Sequence, residues 1–132
     1  MSARLRVDGK SFEFCGLEGG CFPFTVSEMS SRRTFFIRLA GDKFRWLATE
    51  LVQFCSSEGD PFWMRSYKEG NGYLLLQLKR KKGVDSLSFL FANFGKSRTI
   101  IFPARPKAEV WFGVTKTLKG MLVLGYEGLS FN

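Results

Sequence analysis

Residues 31–59 read SRRTFFIRLAGDKFRWLATELVQFCSSEG, and within this stretch a strand pattern changes directly into a helical one. Phe35, Ile37 and Leu39 form an apolar row, and Thr34, Phe36 and Arg38 form the opposite row. This is the alternation of a half-buried strand. The apolar residues from Phe44 to Cys55 then recur at helical spacing and form one stripe. The stretch therefore predicts a strand followed by a helix that begins near Gly41 and ends within residues 56–59.

A second copy of this pattern closes the chain. Arg98–Phe102 repeats the basic and apolar character of Arg33–Ile37, and each run leads into a helix-period segment that contains a tryptophan. Trp46 falls nearly opposite the apolar stripe of its helix, whereas Trp111 falls within its own stripe. We therefore expect two related halves, with Trp111 in the core and Trp46 outside it.

The remaining runs complete both halves as strands separated by turn signals such as Asp8-Gly9 and Asn71-Gly72. The sequence predicts an α+β fold of two ββββα repeats, each an antiparallel four-stranded sheet followed by a helix. We expect a single domain over residues 1–132, with the first repeat at 1–59 and the second at 60–132. The predicted strands are Ala3–Val7, Lys10–Cys15, Phe22–Met29, Arg33–Leu39, Phe62–Lys68, Tyr73–Arg80, Ser86–Asn93 and Arg98–Phe102, and a second helix over Lys107–Leu122 precedes a short extended tail.

Composition narrows the classes of function. The formal net charge is +8 at pH 7, so the electrostatic field of the protein attracts polyanions. Histidine is absent, which excludes a Ser-His-Asp triad and removes the commonest metal ligand. The odd number of cysteines and their spacing favour three free thiols. We expect a non-enzymatic protein without metal, cofactor or small-molecule substrate, and no apolar run approaches the length of a membrane span.

Three segments carry a resemblance to a known family: Ser31–Leu47, Arg98–Phe112 and the hairpin segment Glu69–Leu74. They resemble the basic strand, the strand-Pro-Trp segment and the polar hairpin of the Pur family, whose purine-rich-element-binding proteins bind single-stranded DNA and RNA. The Whirly family is similar in architecture. The resemblance implies a single-stranded nucleic-acid-binding protein that acts in transcription or nucleic-acid metabolism. One departure is the hairpin, where the family's basic Lys-Gly-Arg is Asn71-Gly72-Tyr73.

Binding of a single strand needs aromatic faces for bases and cations for phosphates along one path. Strand alternation places Trp63, Arg65 and Tyr67 in one row, and we expect this row to share a surface with Tyr73, Gln77 and Lys79 of the next strand. The predicted nucleic-acid-binding residues are Arg32, Phe36, Arg38, Trp63, Arg65, Tyr67, Asn71, Tyr73, Gln77 and Lys79. The sequence leaves open whether the ligand is DNA or RNA.

Other interpretations remain open. The exposed sheet face could instead pair with a second subunit, and Trp46 is a candidate partner or dimer contact, so a homodimer is expected. The whole chain could be a non-enzymatic protein-interaction module whose basic face docks an acidic partner. The run Lys79, Arg80, Lys81, Lys82 is a nuclear import signal, a phosphate-binding rim or a charged hairpin end that only keeps the sheet soluble. A nuclear location is expected from this run, with a cytoplasmic location as the alternative.

Overall fold

The computed structural model describes residues 2–7, 9–16, 24–57, 60–104 and 107–130. It contains two four-stranded antiparallel sheets with their strands in sequence order, and each sheet is followed by a helix. The predicted ββββα layout is confirmed. Sheet 1 consists of β1 (Ser2–Val7), β2 (Lys10–Cys15), β3 (Thr25–Met29) and β4 (Thr34–Arg38), followed by α1 (Gly41–Ser56). Sheet 2 consists of β5 (Met64–Glu69), β6 (Gly72–Lys81), β7 (Val84–Asn93) and β8 (Lys96–Pro103), followed by α2 (Lys107–Ser130).

Three predicted boundaries differ from the structure or lie outside the residues that it describes. The expected extended tail is wrong, because α2 continues to Ser130. The start of the third strand at Phe22 and the repeat boundary at Gly59 lie outside the described residues.

Cys15 is disulfide-bonded, so the expectation of three free thiols is wrong for that residue. Within the described part of the chain, neither helix is long and apolar enough to span a membrane.

The hairpins of sheet 2 close with turns of two residues, and this fixes their register. In the first, Glu69 pairs with Gly72 around Gly70 and Asn71, so the turn lies one residue earlier than the Asn71-Gly72 signal indicates. Lys82 and Gly83 form the second turn, and both have positive φ (53° and 78°), the pattern of a type I′ hairpin. A turn of this length pairs odd-numbered residues with even-numbered ones, which decides the face on which every side chain lies.

The first helix follows the apolar stripe that predicts it. Its buried residues are Phe44, Leu47, Ala48, Leu51 and Phe54. Asp42 lies in the first turn, where its charge is favourable to the helix dipole, but the N-cap is Ala40 and no side chain caps the helix. At the other end the backbone N–H of Ser57 donates to the carbonyl of Gln53 at 3.0 Å.

Both sheets contribute to one hydrophobic core. Phe102 of sheet 2 packs on Phe12 and Phe14 of sheet 1, with ring centroids 5.2 Å and 5.4 Å apart, and on Trp111 of α2 at 5.8 Å. The indole Nε1 of Trp111 donates to the carbonyl of Pro103 at 2.9 Å, so this buried ring satisfies its polar atom. The expected core position of Trp111 is confirmed.

Each helix also contacts the first strand of the other sheet. The second helix packs against α1 and against β1 of sheet 1. The first helix contacts β5, where Glu50 lies 3.5 Å from the guanidinium of Arg65 and the ring of Trp46 lies 5.8 Å from that of Tyr67. The halves are therefore interlocked through their helices.

Arg98 of β8 joins sheet 2 to the edge strand β4 of sheet 1. Its Nη1 donates to the backbone carbonyl of Phe36 at 3.3 Å, and its guanidinium lies 5.5 Å from the centre of the Phe35 ring. The outer face of each sheet, opposite the apolar rows that enter the core, includes exposed side chains such as Phe36 and Tyr73.

Candidate nucleic-acid interface

The strand register sorts the side chains of sheet 2 into an inner and an outer face, because directly opposed residues of an antiparallel pair point the same way. Leu74 and Leu76 are buried on the inner face and face the core. On the outer face Tyr73 lies opposite Lys68 on β5 and opposite Ala92 on β7. The residues of the outer face are Met64, Ser66, Lys68, Tyr73, Leu75, Gln77, Lys79, Lys81, Val84, Ser86, Ser88, Leu90, Ala92, Ser97, Thr99, Ile101 and Pro103.

Tyr73 is the aromatic residue of this face, and its side chain is accessible. It is 44% exposed on β6, a central strand that lies between β5 and β7. Lys68 lies beside it across the strand pair, while Lys79 and Lys81 follow farther along β6 on the same face. None of the described residues on this outer face is acidic. A flat ring with one lysine beside it, further lysines along the same strand and no carboxylate among the described residues of the face is an arrangement that can bind a base and its phosphates.

The centre of the same face is apolar. Leu75 and Leu90 are half-buried neighbours on β6 and β7, whereas Met64 and Ile101 on the edge strands are 50% and 46% exposed. Gln77 and Ser88 lie between these two edge residues. The face therefore has an apolar centre with lysines toward its ends.

The outer face of sheet 1 also carries an exposed aromatic residue. Phe36 is 50% exposed on the edge strand β4, and the exposed residues Thr34 and Arg38 lie on the same side, as predicted. In the row of Phe36, however, Arg4 donates to the carboxylate of Glu13 at 2.8 Å. Arg32 lies in the β3–β4 turn next to this face, with its backbone N–H 3.4 Å from Ser30 Oγ.

Trp63, Arg65 and Tyr67 lie elsewhere, and the expectation that they share a surface with Tyr73 is wrong. The register aligns Tyr67 with Leu74 and Arg65 with Leu76 on the inner side of sheet 2. Trp63 is 2% exposed, and its ring packs on that of Phe54 at 5.1 Å. Trp63 therefore has no free face on which a base could stack. Arg65 covers the Trp63 ring at 4.8 Å and forms an ion pair with Glu50.

The Tyr67 hydroxyl joins β5 to α1. It lies 3.1 Å from Glu69 Oε2 and 3.1 Å from Asp42 Oδ2, and its proton can be donated to either carboxylate. These hydrogen bonds, that to Glu69 foremost, raise the pKa of Tyr67 from 10.0 to about 12. Trp46 is half-buried against the Tyr67 ring, so its position outside the apolar stripe serves a contact within the chain.

The other predicted residues fall at the ends of sheet 2. Asn71 is exposed in the β5–β6 turn, at the end where Tyr73 lies. The basic run forms the end of β6 and its turn, with Lys79 and Lys81 on the outer face and Arg80 on the opposite side. The sequence interpretation missed Lys68 as a neighbour of Tyr73. The signal for it was present, because a two-residue turn necessarily aligns odd with even residues.

The described residues hold no group of three or more cysteine, aspartate or glutamate side chains that could bind a metal ion. No family profile and no curated protein sequence matches this chain. Among solved structures, one similar chain is a protein with unknown function from the DUF155 family of Prochlorococcus sp. NATL2A. It is 10% identical, with 92% of this chain and 98% of that chain covered, and the TM-score is 0.44. A likeness at that level carries no argument about function.

Proposed function

We propose that this protein binds single-stranded nucleic acid, DNA or RNA, on the outer face of sheet 2. The observation that carries the proposal is the accessible Tyr73 ring with Lys68 beside it, on a face whose described residues include no acid. A base would stack on Tyr73, and Lys68 and Lys79 would contact phosphates. Gln77 would offer its amide to a base edge or a sugar. The net charge of +8 supports the same ligand class.

The outer face of sheet 1 is a second, weaker contact surface in this proposal. Phe36 supplies a stacking ring, and Arg38 and Arg32 are exposed nearby. One opposing feature is Glu13, whose carboxylate pairs with Arg4 and repels phosphates. The resemblance to the Pur and Whirly families implies the same ligand, and a role in transcription or nucleic-acid metabolism stays a prediction from that resemblance.

The second candidate is a docking face for another protein, and the apolar centre with Met64 and Ile101 favours it. Two copies joined through this face would bring two lysine-bearing, acid-free surfaces together, and like charges across an interface oppose association. The chemistry of the face therefore favours an anionic ligand over a second copy. A homodimer and a nuclear location stay predictions from the sequence.

The test is fluorescence anisotropy with labelled single-stranded DNA, single-stranded RNA and matched duplex at two salt concentrations. We expect binding that prefers single strands and weakens with salt, with a log-log slope of about −0.7 per neutralised phosphate. Equal binding of duplex would show that the net charge acts alone. No binding at low salt would contradict the proposal.

Substitutions at Tyr73 separate stacking from charge. Tyr73→Ala should weaken binding of single strands by about 1–3 kcal/mol, because one base loses its platform, whereas Tyr73→Phe should retain most of the affinity. The matched control is Phe112→Ala, which removes an exposed aromatic ring from α2, away from both sheets. An equal loss in the control, or no loss in Tyr73→Ala, would assign the binding surface elsewhere.

A further inference from the structure

The end of the β6–β7 hairpin extends beyond the strands on either side of it. On the β5 side, the last backbone bond joins the Leu78 N–H to the Trp63 carbonyl at 3.0 Å. On the β8 side, the last joins the Ala104 N–H to the Asp85 carbonyl at 3.4 Å. Among the described residues, Lys81, Val84 and the turn between them have backbone pairing partners only within the hairpin. We call residues 79–84 the basic ribbon.

The cations of the basic ribbon differ in whether they form an ion pair with a described residue. Arg80 Nε donates to Asp85 Oδ1 at 2.7 Å, and its Nη2 lies 3.3 Å from Oδ2, so this guanidinium is held by a buried carboxylate. The exposed Lys79, Lys81 and Lys82 have no described carboxylate within ion-pair distance. Three cations therefore remain available for an external anion.

The direction of these lysines connects the basic ribbon to the outer face of sheet 2. Lys79 and Lys81 lie on the same side of β6 as Tyr73, at the other end of the strand. At about 3.3 Å per residue, Tyr73 and Lys81 are about 26 Å apart. A single strand of nucleic acid that stacks on Tyr73 and runs along β6 would reach the basic ribbon after it passes the four-stranded part of the sheet.

The turn at the tip has ordinary hairpin geometry. Lys82 and Gly83 have φ values of 53° and 78°, and Phe94 and Gly95 of the next hairpin have 51° and 77°, so the backbone reflects the two-residue turn and not the charge of Lys82. The import-signal alternative fits less well, because Arg80 points to the opposite face and a receptor that reads an extended basic peptide would have to open the hairpin.

We propose that the basic ribbon is a phosphate-binding arm that holds the segment of a single-stranded nucleic acid extending past Tyr73 and the outer face of sheet 2. This inference rests on the proposed function and adds the path of the nucleic acid along β6 and the kind of contact made at each end. Bases contact the aromatic end of β6, and backbone phosphates contact the lysine end.

The experiment compares two oligothymidylates, of about 5 and about 15 nucleotides, within the site sizes typical of single-strand-binding sheets. The double variant Lys81→Gln, Lys82→Gln removes two of the free cations. We expect the salt slope of this variant on the longer oligonucleotide to become shallower by about 1.4, which is two phosphates at about 0.7 each. Its affinity for the shorter oligonucleotide should stay unchanged. The double variant Lys81→Arg, Lys82→Arg should behave as the wild type does.

The matched control is Lys116→Gln, Lys119→Gln, which removes the same charge from exposed positions on α2. An equal loss of slope in this control would show a bulk charge effect and overturn the arm. A wild-type slope in the ribbon variant would also overturn the arm, while the proposed function would stand if wild-type protein binds both oligonucleotides. If wild-type protein binds neither oligothymidylate, the arm fails, and the proposed function fails with it when single-stranded RNA is not bound either.

Discussion

Sheet 1 and sheet 2 have the same strand order, and both direct their apolar rows into one core, yet their outer faces differ in charge and in the placement of the aromatic ring. Sheet 1 carries Phe36 on an edge strand, in a row that contains the Arg4–Glu13 ion pair. Sheet 2 carries Tyr73 on a central strand, on a face whose described residues include no acid. Burial constrains the inner faces alike, whereas the outer faces, which do not line the core, can differ in sequence. A repeated fold therefore does not imply a repeated site.

The largest expected effect tests the inner faces, where the two sheets are alike. Phe102→Ala removes a ring that contacts Phe12, Phe14 and Trp111, so the loss affects both sheets. We expect the free energy of unfolding to fall by about 3–5 kcal/mol, measured by urea denaturation. The exposed Phe112→Ala should change it by less than about 0.5 kcal/mol. Separate unfolding transitions for the two sheets in the wild type would contradict a common core.

The second prediction tests the difference between the outer faces. Phe36→Ala should weaken binding of single-stranded DNA by about 1 kcal/mol, at the low end of the range for a lost stack, because Glu13 lies in the same row. Tyr73→Ala should cost more in the same anisotropy titration. A larger loss for Phe36→Ala would reverse the ranking of the two faces and make sheet 1 the principal surface.

The third prediction makes the two faces more similar. Glu13→Gln leaves the described residues of the outer face of sheet 1 without an acid and releases Arg4. We expect a small gain in affinity for single strands and a salt slope steeper by at most about 0.7, since one more cation can reach a phosphate. Asp60→Asn removes the same charge from a turn before β5 and keeps the oxygen that accepts from the Phe62 N–H, so it controls for net charge. Equal gains in both variants would attribute the effect to net charge.

The fourth prediction concerns the β5 edge of sheet 2, where the Tyr67 hydroxyl is hydrogen-bonded to Asp42 of α1. The pKa of Tyr67 in the folded state is raised from 10.0 to about 12, so the neutral hydroxyl is the stabilised form. Its contribution to stability is complete below pH 10 and is lost as the pH rises from about 10 through about 12. Ultraviolet titration of tyrosinate should show a late-titrating component in the wild type that disappears in Tyr67→Phe. A wild-type Tyr67 that ionises near 10 would show that these hydrogen bonds are absent in solution.

The sequence predicts the elements of this fold well, because alternation and helical periodicity directly reflect burial. All eight strands and both helices form, and Trp111 takes its core position. The candidate site was predicted less well, since which strand rows share a face depends on pairing between strands. Trp63 and Tyr67 are odd-numbered, and across a two-residue turn they must align with even-numbered residues such as Leu74. Applied to the sequence, that rule replaces Trp63, Arg65 and Tyr67 by Met64, Ser66 and Lys68 on the face of Tyr73.

The same rule places Arg80 opposite Asp85 and Arg4 opposite Glu13, the ion pairs that decide which cations remain available. Contacts between a helix and a strand could not be obtained in this way. The packing of Trp46 on Tyr67 joins a helix and a strand that are separated along the chain. Such contacts between distant segments carry no periodic signal.

The contact of α2 with β1 also has a consequence for the order of events during synthesis. Phe14 of β2 completes its packing only when Phe102 and Trp111 are present, and these residues belong to the last strand and the last helix. A ribosome-bound chain that has emerged only as far as α1 therefore presents the apolar side of sheet 1 without its cover. We expect the first repeat to acquire its native packing only after the second has left the ribosome, so that the chain folds as one late, non-local and comparatively slow step.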